Sequence, residues 1–285
     1  MDRQRFLSRT ELRNLSIAGI IVFAALAIAC ATTGPGGKKS FIFVPVSQEV
    51  ALGLGMAEEL KKTEKTLPDP EWQAYLAEVG KKIVTVCDRK DIEYHFTVIE
   101  SDVANAFAAP GGYVYFYTGL LREMSSEAEM AAVMAHEISH VVARHGVKRV
   151  QTALGASLAY ELAFGGGNES SKALQAAIGL GLNLCFSSYR RDAEREADNY
   201  GIQYMVKAGY DPQGAVAMFN VLAKLGDRGE ANVFEKMMSS HPETQERIAN
   251  AKTEITAMSL PTGLTLGKDR YQKMVKRLPA KKAGK

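Results

Sequence analysis

The stretch His136-Glu137-Ile138-Ser139-His140 constrains this chain more than any other. Two histidines four positions apart share one face of a helix, which repeats about every 3.6 residues. On a helix, both imidazoles reach a single metal ion, and Glu137, displaced around the axis, leans over a water on that ion. Two neutral nitrogen ligands, one carboxylate base and an open coordination position are what metal-assisted hydrolysis needs. The alternative is a pair of core histidines bonded to backbone, but two rings and a carboxylate are costly to bury without a compensating group.

The flanks favour a buried helix. Ser126-Glu127-Ala128-Glu129 reads as a capping box, with serine at the N-cap and glutamate three residues on. Met130, Val133, Met134, Ile138, Val141 and Val142 then repeat at helical spacing over a wide apolar surface. Further on, Asp192, Glu194, Glu196 and Asp198 crowd one predicted helix, where like charges four apart repel unless a cation compensates. Glu194 and Asp198 share a face, so one can bind a metal while the other accepts the remaining ring N–H of a ligating histidine. Gly201 on the same helix suits close helix packing.

Arg3, Arg5, Arg9 and Arg13 precede the uncharged run Leu15 to Ala29, which has the layout of a secretory signal and is too short to span a bilayer. Leu26-Ala27-Ile28-Ala29-Cys30 resembles a bacterial lipoprotein cleavage site, with Cys30 as the lipidated residue. Ordinary cleavage or an uncleaved anchor are the alternatives. With Ala31 after the cysteine, resemblance to bacterial lipoproteins puts the protein in the periplasm, lipid-anchored at the outer rather than the inner membrane. Net charge is +3, and removal of residues 1–29 brings it to +1, so composition implies no nucleic-acid partner. Cys87 and Cys185 either pair in an oxidising compartment or are buried separately.

The domain plan follows: signal 1–29, lipidated cysteine and small-residue tether 30–44, folded domain 45–258, basic tail 259–285. Helices are predicted over 47–66 and 71–87. Tyr94 to Glu100 is predicted as a strand, with His95 a structural or exposed residue on it. Asn105 to Ala108, Pro110-Gly111-Gly112 and Tyr113 to Tyr117 make a β-hairpin pattern. Its strand beside the site either binds an extended peptide along a free edge or simply packs on the helix. Arg144, His145, Lys148 and Arg149 read as a basic surface, with His145, nine residues after His136, about half a turn out of phase with it on a straight helix. Residues 153–186 read as two apolar helices around a mobile Gly165 to Ser171 connection, either a lid or a surface loop. The tail, +7 from Gly267 onward, is either solvated or in contact with anionic lipid or an acidic partner.

Taken in order, Asn105-Ala106-Phe107, Pro110-Gly111-Gly112, the HExxH pentapeptide, Glu194-Arg195-Glu196-Ala197-Asp198 and Ser240-His241-Pro242 resemble the zinc metallopeptidases related to HtpX and the CAAX prenyl protease, over about residues 45–255. Within that family the chain is most similar to the periplasmic lipoprotein members of the LoiP and BepA type. The resemblance implies a gluzincin-type fold: an α+β, mainly helical domain with a small sheet over the motif helix. It implies one zinc ion on His136, His140 and Glu194, with Glu137 as general base and Asp198 behind a ligand histidine. Asn105, Ala106, Phe107 and Ala108 map to a substrate-binding edge strand. His241 maps near the zinc, either stabilising the oxyanion or filling the open position in a latent state. The lead-in Arg190-Arg191-Asp192 departs from the family's usual Ser-Arg. By this resemblance the chain is a metalloendopeptidase acting on unfolded or misassembled periplasmic and outer-membrane proteins, with outer-membrane assembly machinery as a partner. The rival reading is a periplasmic chaperone or assembly factor with a latent or vestigial zinc site.

Overall fold

The computed structural model describes residues 31–37, 39–227 and 245–281. Within residues 30–44, expected as a tether, the described residues 31–37 and 39–41 include a short pair of strands. Strand β1 (Ala31–Thr33) pairs antiparallel with β2 (Lys39–Phe41), and the small residues that suggested a spacer instead make the turn between them, with Gly36 and Gly37 at φ 62° and 76°. Gly36 N donates to Asp88 Oδ2 at 2.9 Å, and Ile42 and Val44 beyond the hairpin are buried.

Helices α1 (Val46–Thr63) and α2 (Pro70–Val86) follow the expected plan. Asp69 ends the Leu67-Pro68 break and begins α2: its side chain accepts the N–H groups of Glu71 and Trp72 at 3.0 and 3.1 Å, and Pro70 needs no donor there. Trp72, Tyr75, Leu76, Val79 and Ile83 form the buried stripe of α2.

A three-stranded sheet follows. β3 (His95–Ile99) lies parallel to β5 (Tyr113–Tyr117), whose other side takes β4 (Ala106–Ala109) antiparallel, giving the order β3-β5-β4. Pro110, Gly111 and Gly112 turn β4 into β5, both glycines at positive φ, as the hairpin pattern predicts. The period of two sorts the strands between two cores. Ala106, Ala108, Val114 and Phe116 face a cluster with α2 and α4 (Glu127–Val142), while Phe107, Ala109, Tyr115 and Tyr117 face one with Leu52, Met56 and Leu60 of α1.

After α3 (Thr118–Glu123), Ser126 caps α4 through its hydroxyl, 3.2 Å from Glu129 N, with Glu129 Oε1 returning to it at 3.0 Å. The serine half of the expected capping box is present, while the Glu129 carboxylate accepts the N–H of Ser125, at 2.9 Å, one residue before the cap. Because α4 is wrapped by the sheet, α2, α7 (Arg191–Lys207) and α8 (Gln213–Asp227), nearly all its residues are buried. Helices α5 (His145–Phe164) and α6 (Gly167–Cys185) form an antiparallel pair, with α6 ending against β4. Their connection is only Gly165-Gly166; the rest of the expected glycine-rich loop starts α6. Cys87 and Cys185 are buried and unpaired. Among the described residues no helix is long and apolar enough to cross a membrane.

The described part of the basic tail, residues 259–281, carries a helix of its own. Beyond α9 (Gln245–Ala257), α10 (Lys268–Val275) lies on α2. Tyr271 is fully buried, and its hydroxyl donates to Leu121 O at 2.7 Å. Arg270 reaches both oxygens of Glu78 and Arg277 both oxygens of Asp69. Two of the tail's cations, Arg270 and Arg277, thus pair with carboxylates of the domain.

Candidate active site

Helix α4 presents His136 and His140 to α7, and Gly201 lets the two helices close. A Cβ built on Gly201 would stand 3.1 Å from His136 N and 3.3 Å from its Cα. That approach delivers Glu194 between the rings. His136 Nε2 and His140 Nε2 are 3.1 Å apart, and Glu194 offers Oε2 at 3.5 Å to the first and Oε1 at 3.4 Å to the second. Three donors on a tetrahedral ion with bonds of about 2.0–2.1 Å would be separated by about 3.3 Å. The set thus fits a small divalent metal, with His140 and Glu194 buried and His136 half-buried. Burial pushes the His140 pKa well below its ordinary value, keeping the ring in the neutral form a metal requires.

Behind this set, His136 Nδ1 meets Asp198 Oδ1 at 2.9 Å. Arg247 of α9 grips Asp198 with Nε and Nη2 at 2.8 and 2.7 Å and sets Nη1 3.2 Å from Glu194 Oε2. Burial alone would raise the Asp198 carboxyl; the Arg247 charge and the contact with His136 outweigh it and hold its pKa below the usual value.

His145 and Arg144 are not a basic surface. The motif helix does not continue straight, because Arg144 adopts φ 53°, ψ 34° and breaks the chain into α5. Glu49 of α1 accepts Arg144 Nε at 2.7 Å and both ends of the Arg89 fork at 2.8 and 2.9 Å, and Arg144 Nη2 donates to Val44 O at 2.7 Å. The break swings His145 back under the site. Its Nδ1 lies 2.8 Å from His140 Nδ1, and its Nε2 lies 3.1 Å from Glu196 Oε2. On the other face of His140, Tyr189 stacks at 4.1 Å and 20°, with the Arg149 guanidinium 4.5 Å from the tyrosine ring centre.

Glu137 is buried and, with His136, Asp198 and Arg247, lines a small cavity of about 40 Å³. Val133, Ile202, Met205, Met218, Phe219 and Leu222 make the rest of its wall apolar. On the opposite side of His140, β4 is the outer strand of the sheet, and Ala108 shares a small cavity with His140 and Tyr189. Its outer side is not bare: the Phe186 ring lies 5.0 Å from Phe107, and Cys185 Sγ is 3.9 Å from Ala108 O. Asn105, just before β4, is fully buried, and its side-chain amide finds no hydrogen-bond partner among the described residues. Cys30 and His241 lie outside the described residues. His95 stacks on Tyr113 at 4.5 Å, as a structural residue would.

Sequence reading missed three neighbours of the site. No pattern in the sequence marks Arg247 or Tyr189, and His145 reaches the site only because the helix does not run straight.

A mainly helical domain that brings an HExxH helix against a glutamate-bearing helix defines a metallopeptidase. The chain belongs to peptidase family M48, whose family model matches residues 70–255. It is 29% identical over 246 residues to the beta-barrel assembly-enhancing protease of Escherichia coli (strain K12), covering 83% of this chain and 50% of that protein. To the mitochondrial metalloendopeptidase OMA1 of Schizosaccharomyces pombe it is 34% identical over 175 residues, 61% of this chain and 50% of that protein. The metalloprotease LoiP of Escherichia coli is 25% identical over 248 residues, 83% of this chain and 96% of LoiP. The chain thus spans about half the length of the beta-barrel assembly-enhancing proteases it matches.

Proposed function

We propose that this chain is a zinc-dependent endopeptidase of the bacterial envelope, acting on misfolded or unassembled periplasmic and outer-membrane proteins. The observation that carries the reading is the convergence of His136 Nε2, His140 Nε2 and a Glu194 carboxylate oxygen within 4.8 Å of one another, on the helix that carries Glu137. His136, His140 and Glu194 hold the metal, and Asp198 fixes the proton of His136 on Nδ1. Bound there, zinc supplies a Lewis acid that polarises a carbonyl and makes water acidic near neutral pH. Glu137 takes the proton of the attacking water and delivers it to the leaving amine. The strand Ala106-Phe107-Ala108, with Asn105 at its start, is the element that would align the main chain of the substrate, on the side that Phe186 flanks in this structure. The apolar cavity beside Glu137 favours an apolar side chain of that substrate.

Support for the envelope address comes from the lipoprotein-like Leu26 to Cys30 segment and from the likeness to the beta-barrel assembly-enhancing protease and LoiP. Lipidation of Cys30 would hold the enzyme on a membrane without spanning it. Purified protein, measured for zinc content and for cleavage of unfolded casein with and without chelator, tests the reading. Wild type should cleave only when loaded, and Glu137→Gln should keep zinc yet lose about 10²–10⁴-fold in turnover, the usual worth of a general base. Equal cleavage by Glu137→Gln and wild type would sink it.

A further inference from the structure

The two metal-facing histidines are supported differently. His136 meets a carboxylate directly, Asp198 Oδ1 at 2.9 Å from its Nδ1. Behind His140 stands a second imidazole, and only behind that a carboxylate: His140 Nδ1 to His145 Nδ1 at 2.8 Å, then His145 Nε2 to Glu196 Oε2 at 3.1 Å. Each of these bonds needs one donor and one acceptor, and a neutral imidazole has one of each.

We infer that His145 and Glu196 are positioning residues that set the tautomer of His140 through a two-bond relay. The reasoning runs from the acidic end. A carboxylate at Glu196 only accepts, so His145 carries its proton on Nε2. Its Nδ1 is then a lone pair facing His140, so His140 carries its proton on Nδ1. That leaves the lone pair of His140 Nε2 directed at His136 Nε2 and Glu194, where a metal binds. No proton transfer is needed; the chain of acceptors selects one arrangement of protons.

The geometry of the relay is built by the helix break. Continued as a straight helix, α4 would put residue 145 about 140° around the axis from His140, facing away from it. Arg144 in the left-handed region, gripped by Glu49 and by Val44 O, returns it instead. His145 is buried and Glu196 half-buried, so water competes little for the inner bond.

The inference rests on the metal-site reading above, and its test separates the two. Metal-free full chain is titrated with zinc against a chelating indicator and with cobalt(II), read by its visible absorption, with circular dichroism recorded on each sample. His145→Leu removes the acceptor; Glu196→Leu removes the far carboxylate from a different helix; His145→Asn keeps an oxygen near the place of Nδ1. Loss of such an outer support weakens metal binding by about 10–100-fold. That loss is expected for His145→Leu and, more mildly, for Glu196→Leu, with altered cobalt absorption, whereas His145→Asn recovers most of the affinity. Should His145→Leu fail to fold, Glu196→Leu and His145→Asn still decide. Wild-type affinity in Glu196→Leu, or an Asn variant as weak as Leu, overturns the relay. Failure of wild type itself to bind either metal would instead overturn the metal-site reading.

Discussion

Arg247 and Asp198 are joined by two hydrogen bonds, at 2.8 and 2.7 Å, between helices 49 residues apart in the chain. Through Asp198 this fork reaches His136, and through Nη1 it reaches Glu194, so one guanidinium braces two of the three candidate ligands. Arg247→Leu would leave Asp198 a buried carboxylate with its main counter-charge gone, a change that destabilises by about 3–5 kcal/mol when both partners are buried. Metal affinity should fall by roughly 10–100-fold. Arg247→Lys should restore stability in part but not affinity, because an ammonium cannot fork across both oxygens. Chelator competition and thermal melting of the three proteins check this.

Gly201 and His136 set the spacing of the site. Gly201→Ala would place a methyl 3.1 Å from His136 N, against backbone that cannot rotate away. The helices must part by a few tenths of an ångström, at a cost of about 1–3 kcal/mol for overpacking. At about 2–4 °C per kcal/mol for a domain of this size, melting should drop by several degrees. Metal affinity should drop with it, since Glu194 and Asp198 ride on the displaced helix. A variant with wild-type affinity and melting would show that the helix contact has slack.

What the sequence revealed about this site is what lies within one helix. The motif pair, the cap at Ser126 and the Glu194–Asp198 face are spacings of three or four residues, and local geometry fixes them. Arg247, Tyr189 and His145 come to the site by tertiary routes. His145 depends on a backbone reversal at Arg144 that Glu49 holds from 95 residues away, and no periodicity encodes that. The two terminal segments show the same limit. Small residues that suit a tether form a turn at 35–37, and the charges that mark the tail do not point to the buried aromatic Tyr271 within it.

Tyr271 should therefore behave as a core residue. Its ring stands edge-on to Trp72 at 6.2 Å and 86°, and the Trp72 N–H returns to Met274 O at 2.9 Å. Tyr271→Ala should destabilise the domain by about 3–5 kcal/mol, the range for emptying a large aromatic site. Tyr271→Phe, which keeps the ring but leaves Leu121 O without its donor, should lose about 1–3 kcal/mol. Urea unfolding of both variants gives the comparison. A free tail would lose nothing from either.

Glu254 gives the fold a pH dependence of its own. It lies on α9 against α7, with one oxygen buried and without a hydrogen-bond partner among the described residues. Burial raises its pKa from 4.5 to about 7, the charge of Asp198 adding to the shift while Gln203 and Asn199 oppose it. A carboxyl raised in the folded state favours folding when protonated. Its contribution is fully present below about pH 4.5, the ordinary value, and is lost as pH rises through about 7. The group is half-exposed, so solvent screening limits the effect to the order of 1 kcal/mol. Glu254→Gln, neutral at every pH, should remove that slope: the stability difference between variant and wild type should widen in the variant's favour from pH 5 to pH 8. Urea melts of metal-free protein at the two pH values measure it, and a difference that does not change with pH would mean that Glu254 titrates as an ordinary surface carboxyl.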